Sequence, residues 1–277
     1  ALTEYGKSRR LQSQSSYWKK TADRYDPLPA DKSYTGLLRA KDMSTHSMRL
    51  GTAQTRLLLQ EVPRVYHTEI NDILLCALAI TICQWASTQK TIIGLEGHGR
   101  EHIADGIDTS RTVGWFTNIY PVLLEVSIDK GLGDAIKAVK EQLRKVPDKG
   151  LGYGVLKYIN KAAGLAGRPC WDIVFNYLGQ VDNVVSSGKW LAAAGESRGN
   201  SSGEGQAVND QLAVNGVVQG GELALNWSYS TLHYDKETIL NLVESYQSNL
   251  EALIGHCIQQ KANVYTPSDY GLGLEVS

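Results

Sequence analysis

Thr91-Ile92-Ile93-Gly94-Leu95-Glu96-Gly97-His98-Gly99-Arg100-Glu101 decides how the rest of this chain is read. Its first half is a short Ile-rich apolar run, and it reads as the central strand of a sheet over 91–95. Its second half changes character at once, to a carboxylate, Glu96, and then glycines at 97 and 99 around a histidine. A carboxylate ending a buried strand loses hydration of its charged form. Its pKa rises, and it can take and return a proton near neutral pH. The glycines have no Cβ and let a substrate chain approach the backbone closely.

Working outward toward the N-terminus, Glu69–Trp85 reads as a long helix, apolar on nearly every side and so buried, with Cys76 and Cys83 on one face. Thr52–Gln60 reads as a shorter helix, and strands are expected near Tyr34–Arg39 and His46–Leu50. Pro27 and Pro29 mark a loop. Residues 2–20 read as one helix whose Lys7, Arg9, Arg10, Lys19 and Lys20 form a solvated face.

Toward the C-terminus, Ile119–Val126 and Trp171–Leu178 read as further strands. Gly133–Val146 is an amphipathic helix ended by Pro147. Gly150-Leu-Gly-Tyr-Gly reads as a flexible turn leading into a helix over Val155–Ala163. Residues 186–211 form a long polar stretch of the kind that is functional or disordered. Gly220-Gly221 between Leu212–Gln219 and Glu222–Tyr229 is a hairpin signal, and Lys236–Gln259 is a final helix. Strands and helices alternate irregularly, so the expected class is α/β with a mixed β-sheet flanked by helices.

With 277 residues, 42% of them apolar, the chain can bury a full core. A net charge of -1 argues against a dedicated nucleic-acid binder. No apolar run has the length of a membrane span, and no signal peptide opens the chain. Cys76, Cys83, Cys170 and Cys257 are scattered and read as buried thiols of a reducing compartment. Ala1 in place of an initiator Met, and a Pro- and Gly-containing stretch from Ala262 to Ser277, read as the cut ends of a piece of a longer polypeptide.

Several motifs are weighed and set aside. His98-Gly-Arg-Glu-His102 matches a zinc-peptidase pattern that works only on a helix, and the preceding strand and the glycines oppose helix there. No metal is expected. Gly97-His98-Gly99 and the 150–154 glycines lack the remainder of a phosphate loop. Ser16-Tyr-Trp-Lys19 is read as chance, and no G-x-S-x-G occurs. The two phenylalanines, Phe116 and Phe175, read as core anchors. Asn176 and Tyr177, adjacent on a strand, point to opposite faces unless the strand is bulged.

Five segments in fixed order carry a resemblance. They are Asp72-Ile-Leu-Leu-Cys-Ala-Leu, Glu96-Gly-His-Gly-Arg-Glu, Arg111-Thr-Val-Gly-Trp-Phe-Thr-Asn-Ile-Tyr-Pro-Val, Pro147 with Gly150-Leu-Gly-Tyr-Gly, and Phe175-Asn-Tyr-Leu-Gly-Gln. With these, the chain resembles the epimerization domains of non-ribosomal peptide synthetases, enzymes of antibiotic biosynthesis and secondary metabolism. The resemblance implies a chloramphenicol-acetyltransferase-like fold with two lobes facing across a tunnel. It implies an isomerase that inverts the α-carbon of an aminoacyl or peptidyl thioester. The domain has no cofactor of its own. Its substrate hangs on the 4'-phosphopantetheine arm of a partner peptidyl carrier (thiolation) domain.

The family's H-H-x-x-x-D-G motif, which supplies a catalytic histidine, is absent: the histidines are His46, His67, His98, His102, His233 and His256. The resemblance therefore assigns the C-terminal lobe only. Residues 1–30 are expected as a helical lead-in from the N-terminal lobe, 31–261 as the lobe itself, and 262–277 as a linker to the next domain. The implied catalytic residues are Glu96 as acid/base, with Arg100, Asn176 and Tyr177 at positions linked to activity. Arg100 holds the loop or pairs with Glu101. Asn176 or Tyr177 donates to the enolate oxygen or holds Glu96.

The polar 186–211 stretch is expected to cross to the other lobe. The implied partners are that lobe and the neighbouring synthetase modules, with no nucleic acid and no membrane, in the cytoplasm. A large apolar inter-lobe face is expected to promote self-association. The alternatives are a condensation domain lobe, a carrier-docking module without catalysis, and a zinc hydrolase.

Overall fold

The computed structural model describes residues 1–103, 107–167, 169–181, 199 and 202–271. In chain order the helices α1 Leu2–Lys7, α2 Arg9–Gln12 and α3 Ser15–Ala22 come first. Strands β1 Leu38–Arg39 and β2 Met43–Leu50 follow, then α4 Thr52–Gln60, α5 Val62–Tyr66 and α6 Ile70–Trp85. Next come β3 Lys90–Gly97, β4 Asn118–Glu125, α7 Leu132–Arg144 and α8 Leu151–Gly154. A π-helical turn, Val155–Ile159, extends α8. The chain ends with β5 Ile173–Gln180, β6 Ala207–Val208, β7 Leu212–Gln219, β8 Glu222–Ser230 and α9 Lys236–Gln259.

Six strands form one mixed sheet in the order β2-β8-β7-β5-β3-β4. The β3–β5 and β5–β7 pairs are parallel, and the other pairs are antiparallel. The β7–β8 turn at Gly220-Gly221 has φ of 62° and 75°, the left-handed pair that a tight hairpin needs and glycine accepts without strain. Strand alternation separates two faces. Leu212, Val214 and Val218 of β7 and Leu223, Leu225 and Trp227 of β8 are buried toward the helices. Trp227 meets Tyr246 of α9 edge-on at 5.5 Å, and α9 packs along α6. This is the helix-covered face. On the other face, β5, β7, β8 and β2 present half-buried or exposed small and polar side chains, Asn176, Asn215, Asn226 and Ser47 among them.

Small and polar side chains, and not a continuous apolar patch, thus line this open face. The most exposed large apolar residues, Val113 and Trp115, lie instead on the loop before β4. The long helix expected over 2–20 is corrected, because it breaks into α1, α2 and α3. At Ser8 the backbone is extended (ψ 147°) and the side chain accepts from the Leu11 N–H, so one helix ends and the next is capped there. Nor is the basic face merely solvated, since Arg10 reaches Asp148 through Nε at 2.9 Å. Asp148 also accepts from Tyr5 Oη at 2.6 Å and Gln14 Nε2 at 2.7 Å, tying the N-terminal helices to the turn before α8.

The strand expected over 34–39 shrinks to Leu38–Arg39, paired with β6 at the end of the 186–211 stretch. Most of that stretch lies outside the described residues. The glycine-rich turn expected at 150–154 is helical from Leu151. Leu151 and Tyr153 are buried there, and their packing outweighs the low helix propensity of the glycines.

The linker expected over 262–277 is docked in its first part. Val264 N–H bonds to Val65 O at 2.7 Å, and Asp269 accepts from the buried Lys140 ammonium at 2.6 and 2.7 Å. Residues 272–277 lie outside the described residues. The four cysteines are free thiols, with Cys76, Cys83 and Cys257 buried. Among the described residues no single helix is long and apolar enough to cross a membrane.

Candidate functional site

Glu96 is the penultimate residue of β3, where the sheet gives way to the 98–117 loop. Gly94, two residues earlier on the same face, lies under the Trp171 indole: a Cβ there would be 2.7 Å from Nε1. That Nε1–H donates to Asp210 Oδ1 at 3.2 Å. Trp171 thus brings the Asp210 carboxylate to the face and neighbourhood of Glu96. Glu96 is half-buried, and burial first, then the charge of Asp210, pushes its carboxyl above the ordinary value. Burial raises Asp210 as well, against the lowering hydrogen bond from Trp171.

Glu96 lines a cavity of about 490 Å³ at the C-terminal ends of β3 and β5, together with Tyr120, Trp115, Asn176 and Tyr177. Its opposite wall holds Asp72 of α6 and Arg144 of α7, joined by two bonds of 2.7 and 2.9 Å. Asp72 is 1% exposed, so this fork is a structural pair fixing the ends of α6 and α7. Burial raises the Asp72 carboxyl more than its Arg144 bonds lower it.

Arg100 does not line this cavity. Its guanidinium stacks over the Phe116 ring at 4.4 Å and donates to the carbonyls of Thr109, Thr112 and Gly114. Of the two expected roles, holding the loop is the one its contacts match. Glu101 pairs instead with His98, at 3.1 Å. His98 Nδ1 accepts from the Arg100 N–H at 3.0 Å, so Nε2 carries the proton toward Glu101. The 98–102 segment is not helical, so the zinc-peptidase geometry of two histidines on one helix face is not formed. Phe175 is a fully buried core anchor; Phe116 is not, being half-buried beneath Arg100.

Asn176 and Tyr177 point to opposite faces, as adjacent strand residues do. Tyr177 packs on the helix side near Gly216 and Leu225. Asn176 lies on the open face, one register step beyond the Leu95–Phe175 pair and so beside Glu96. The sheet register shifts between Tyr177 and Gln180, with Gly179 at φ 84°. Both residues reach the cavity because it lies at the strand ends. Burial raises the Tyr177 phenol.

Sequence reasoning gave no role to Asp210, Trp171, Tyr120 or the Asp72–Arg144 fork. Only the tertiary approach of Trp171 to Gly94 joins 210 to 96, and no local spacing reports it.

A six-stranded mixed sheet flanked by helices matches the fold of condensation-type domains. The chain belongs to the Condensation domain family, whose profile matches residues 1–271. Domains of this family hold no cofactor of their own and receive their substrate on a partner carrier domain.

The chain superposes with a TM-score of 0.84 on the epimerization domain from the third module of tyrocidine synthetase B. Identity is 34%, over 94% of this chain and 58% of that one. It is 41% identical over 271 residues to bacitracin synthase 3 of Bacillus licheniformis, covering 98% of this chain and 4% of that protein. It is 38% identical over 291 residues to tyrocidine synthase 1 of Brevibacillus parabrevis, covering 99% of this chain and 26% of that protein. The chain thus spans a small part of the length of the two synthases and somewhat over half of the solved domain.

Proposed function

We propose that this chain is the C-terminal lobe of an epimerase acting on an aminoacyl or peptidyl thioester borne by a carrier domain. The observation that carries the reading is Glu96. It is a half-buried carboxylate with a raised pKa at the end of a central strand, on a cavity and beside an open face.

A thioester acidifies its α-hydrogen. The Glu96 carboxylate takes that proton, and the electron pair of the C–H bond moves to the thioester oxygen as an enolate. A proton returned to the opposite face by a group of the N-terminal lobe restores the thioester with inverted configuration. The product is an isomer of the substrate, and turnover closes when Glu96 gives its proton to solvent and the second group takes one up. The Asn176 amide, beside Glu96, donates to the enolate oxygen or orients the carboxylate. Tyr177 closes the cavity on the helix side, and Arg100 acts as a positioning residue by fixing the loop that follows Glu96.

In this reading the partners are the N-terminal lobe, a peptidyl carrier domain and the neighbouring synthetase modules, in the cytoplasm. The boundaries are 31–261 for the lobe, with a lead-in before and a linker after. The similarity to a solved epimerization domain supports it.

The test is α-proton exchange in D2O by the native protein with its loaded carrier, wild type against Glu96→Gln. Exchange that disappears in the variant is the expected result, and exchange that persists refutes the role of Glu96. Formation of a peptide bond without exchange would favour the second reading, a condensation lobe, for which the family profile speaks.

A further inference from the structure

A single row of side chains crosses the open face of the sheet. Asn176 of β5 is the register partner of Asn215 of β7, Asn215 is the partner of Asn226 of β8, and Asn226 is the partner of Ser47 of β2. Glu96 begins the row, one step beyond the Leu95–Phe175 pair. Residues paired in register share a face, so carboxylate and amides lie side by side across neighbouring strands.

The amides are half-buried and underused. Among the described residues, no hydrogen-bond partner exists for the side chain of Asn176 or Asn215. Asn226 accepts at Oδ1 from Ser47 Oγ at 2.5 Å and keeps its two N–H donors. Beside the three amides the flanking side chains are short and uncharged, and the first charged flanking neighbour is Arg49 of β2, the register partner of Ala224, paired with Glu222 at 3.6 Å. Val174, Ala213 and Ser228 border the row on one side, and Val217 and Ala224 on the other.

Three primary amides in line, each with two N–H donors and those of Asn176 and Asn215 with an open acceptor as well, match the alternating N–H and C=O groups of an extended peptide. Short flanks beside the three amides leave room for the side chains of the peptide. Strands lie about 4.8 Å apart, so Glu96 to Asn226 spans about 14 Å, which an extended chain at about 3.4 Å per residue covers in about four residues.

We propose that this asparagine row is a subsite for the peptide chain attached to the reacting residue. The substrate of the lobe is then a peptidyl rather than an aminoacyl thioester. The occupant follows from continuity with Glu96: a chain whose α-carbon reaches that carboxylate has its upstream amides over the row. The proposal rests on the epimerase reading and names its substrate class.

The experiment uses the native protein with both lobes, and its carrier loaded with aminoacyl, dipeptidyl, tripeptidyl or tetrapeptidyl pantetheine. The readouts are kcat/KM for α-proton exchange, and Kd for the matching non-hydrolysable amide analogues. Both are expected to improve with chain length and level off near four residues. Asn226→Ala lowers the tetrapeptidyl-to-aminoacyl ratio about three- to tenfold, the worth of one hydrogen bond, without changing the dipeptidyl-to-aminoacyl ratio. Asn215→Ala lowers the ratio from a shorter length onward. Thr45→Ala, on the same face but off the row, keeps the wild-type length profile.

A flat length profile in the wild type overturns the proposal. So does an Asn226→Ala effect equal at all lengths, which would mark a contact with the other lobe. Length-dependent Kd that is lost in Asn226→Ala, with no exchange on any substrate, keeps the subsite and removes the epimerase reading.

Discussion

Asp148→Ala should release the N-terminal helices from the lobe, and the cost can be worked from the contacts. The carboxylate accepts from Tyr5 Oη at 2.6 Å, Gln14 Nε2 at 2.7 Å and Arg10 Nε at 2.9 Å. The Arg10 side chain is 52% exposed, so its guanidinium regains water and loses little. Tyr5 and Gln14 are buried, and each loses its main partner. An unsatisfied buried polar group costs about 1–3 kcal/mol. Gln14 Nε2 also approaches Tyr5 Oη at 3.4 Å, so the two relieve each other in part, and about 2–3 kcal/mol is lost together.

Asp148 further holds φ 45°, a left-handed conformation that Asp tolerates better than Ala, adding about 1 kcal/mol. The sum, about 3–4 kcal/mol, is a factor of about 10²–10³ in local opening. Amide hydrogen exchange of residues 2–22 in the native protein reads this directly. Asp148→Asn, which keeps an acceptor and the left-handed tolerance, should lose less than half as much. Burial would raise the Asp148 carboxyl, but the bonds from Arg10, Tyr5 and Gln14 hold it below its ordinary value. Its stabilisation is therefore present above the ordinary carboxylate range and lost as pH falls through the lowered value. Protection of residues 2–22 that stays within twofold of wild type in Asp148→Ala would refute the reasoning.

Asp210→Asn keeps an acceptor for Trp171 but removes the charge that helps raise Glu96. The acidic limb of the exchange profile, where Glu96 must be ionised to act, should move to lower pH; an unmoved limb sinks the coupling. Asp269→Ala leaves Lys140, 1% exposed, with the Tyr66 carbonyl as its one remaining partner among the described residues, at a cost of about 3–5 kcal/mol. Limited proteolysis within 262–271 should accelerate, and adding Lys140→Met should restore part of the protection. Gly94→Ala drives a methyl to 2.7 Å from Trp171 Nε1 and should cost about 1–3 kcal/mol in thermal unfolding; a neutral result would mean the indole does not lie across β3.

What the sequence disclosed was local. The Ile-rich run before Glu96 stood out as a strand, and Gly220-Gly221 as a hairpin, because those signals depend on neighbours in the chain. What it hid depends on distant groups. The first segment breaks at Ser8, which caps α2, and Asp148, far along the chain, draws Tyr5, Arg10 and Gln14 together across the pieces, a contact that no local pattern reports. Arg100 read equally well as an active or a loop-holding group, and only the carbonyls of Thr109, Thr112 and Gly114 around it favour the second. The asparagine row was invisible in principle. Asn176 and Asn215 meet through a parallel pair, and a parallel register is set by tertiary packing rather than by a turn.

The degree of burial of Glu96 is itself an argument about the reaction. A carboxylate fully exposed on a loop keeps its ordinary pKa and is too weak a base for an α-hydrogen. One buried in the core stays protonated and cannot act as a base at all. A strand end on a polar, half-open face lies between these limits, and Asp210 adds to the shift without closing the site. In the proposed reading Glu96 serves one side of the α-carbon, with the β3 backbone beneath it and the Trp171 indole beside it over Gly94. Inversion then requires the second proton from across the open face, where the other lobe would stand. In the proposed reading, the features that tune this carboxylate are thus also the ones that leave the second proton to another group.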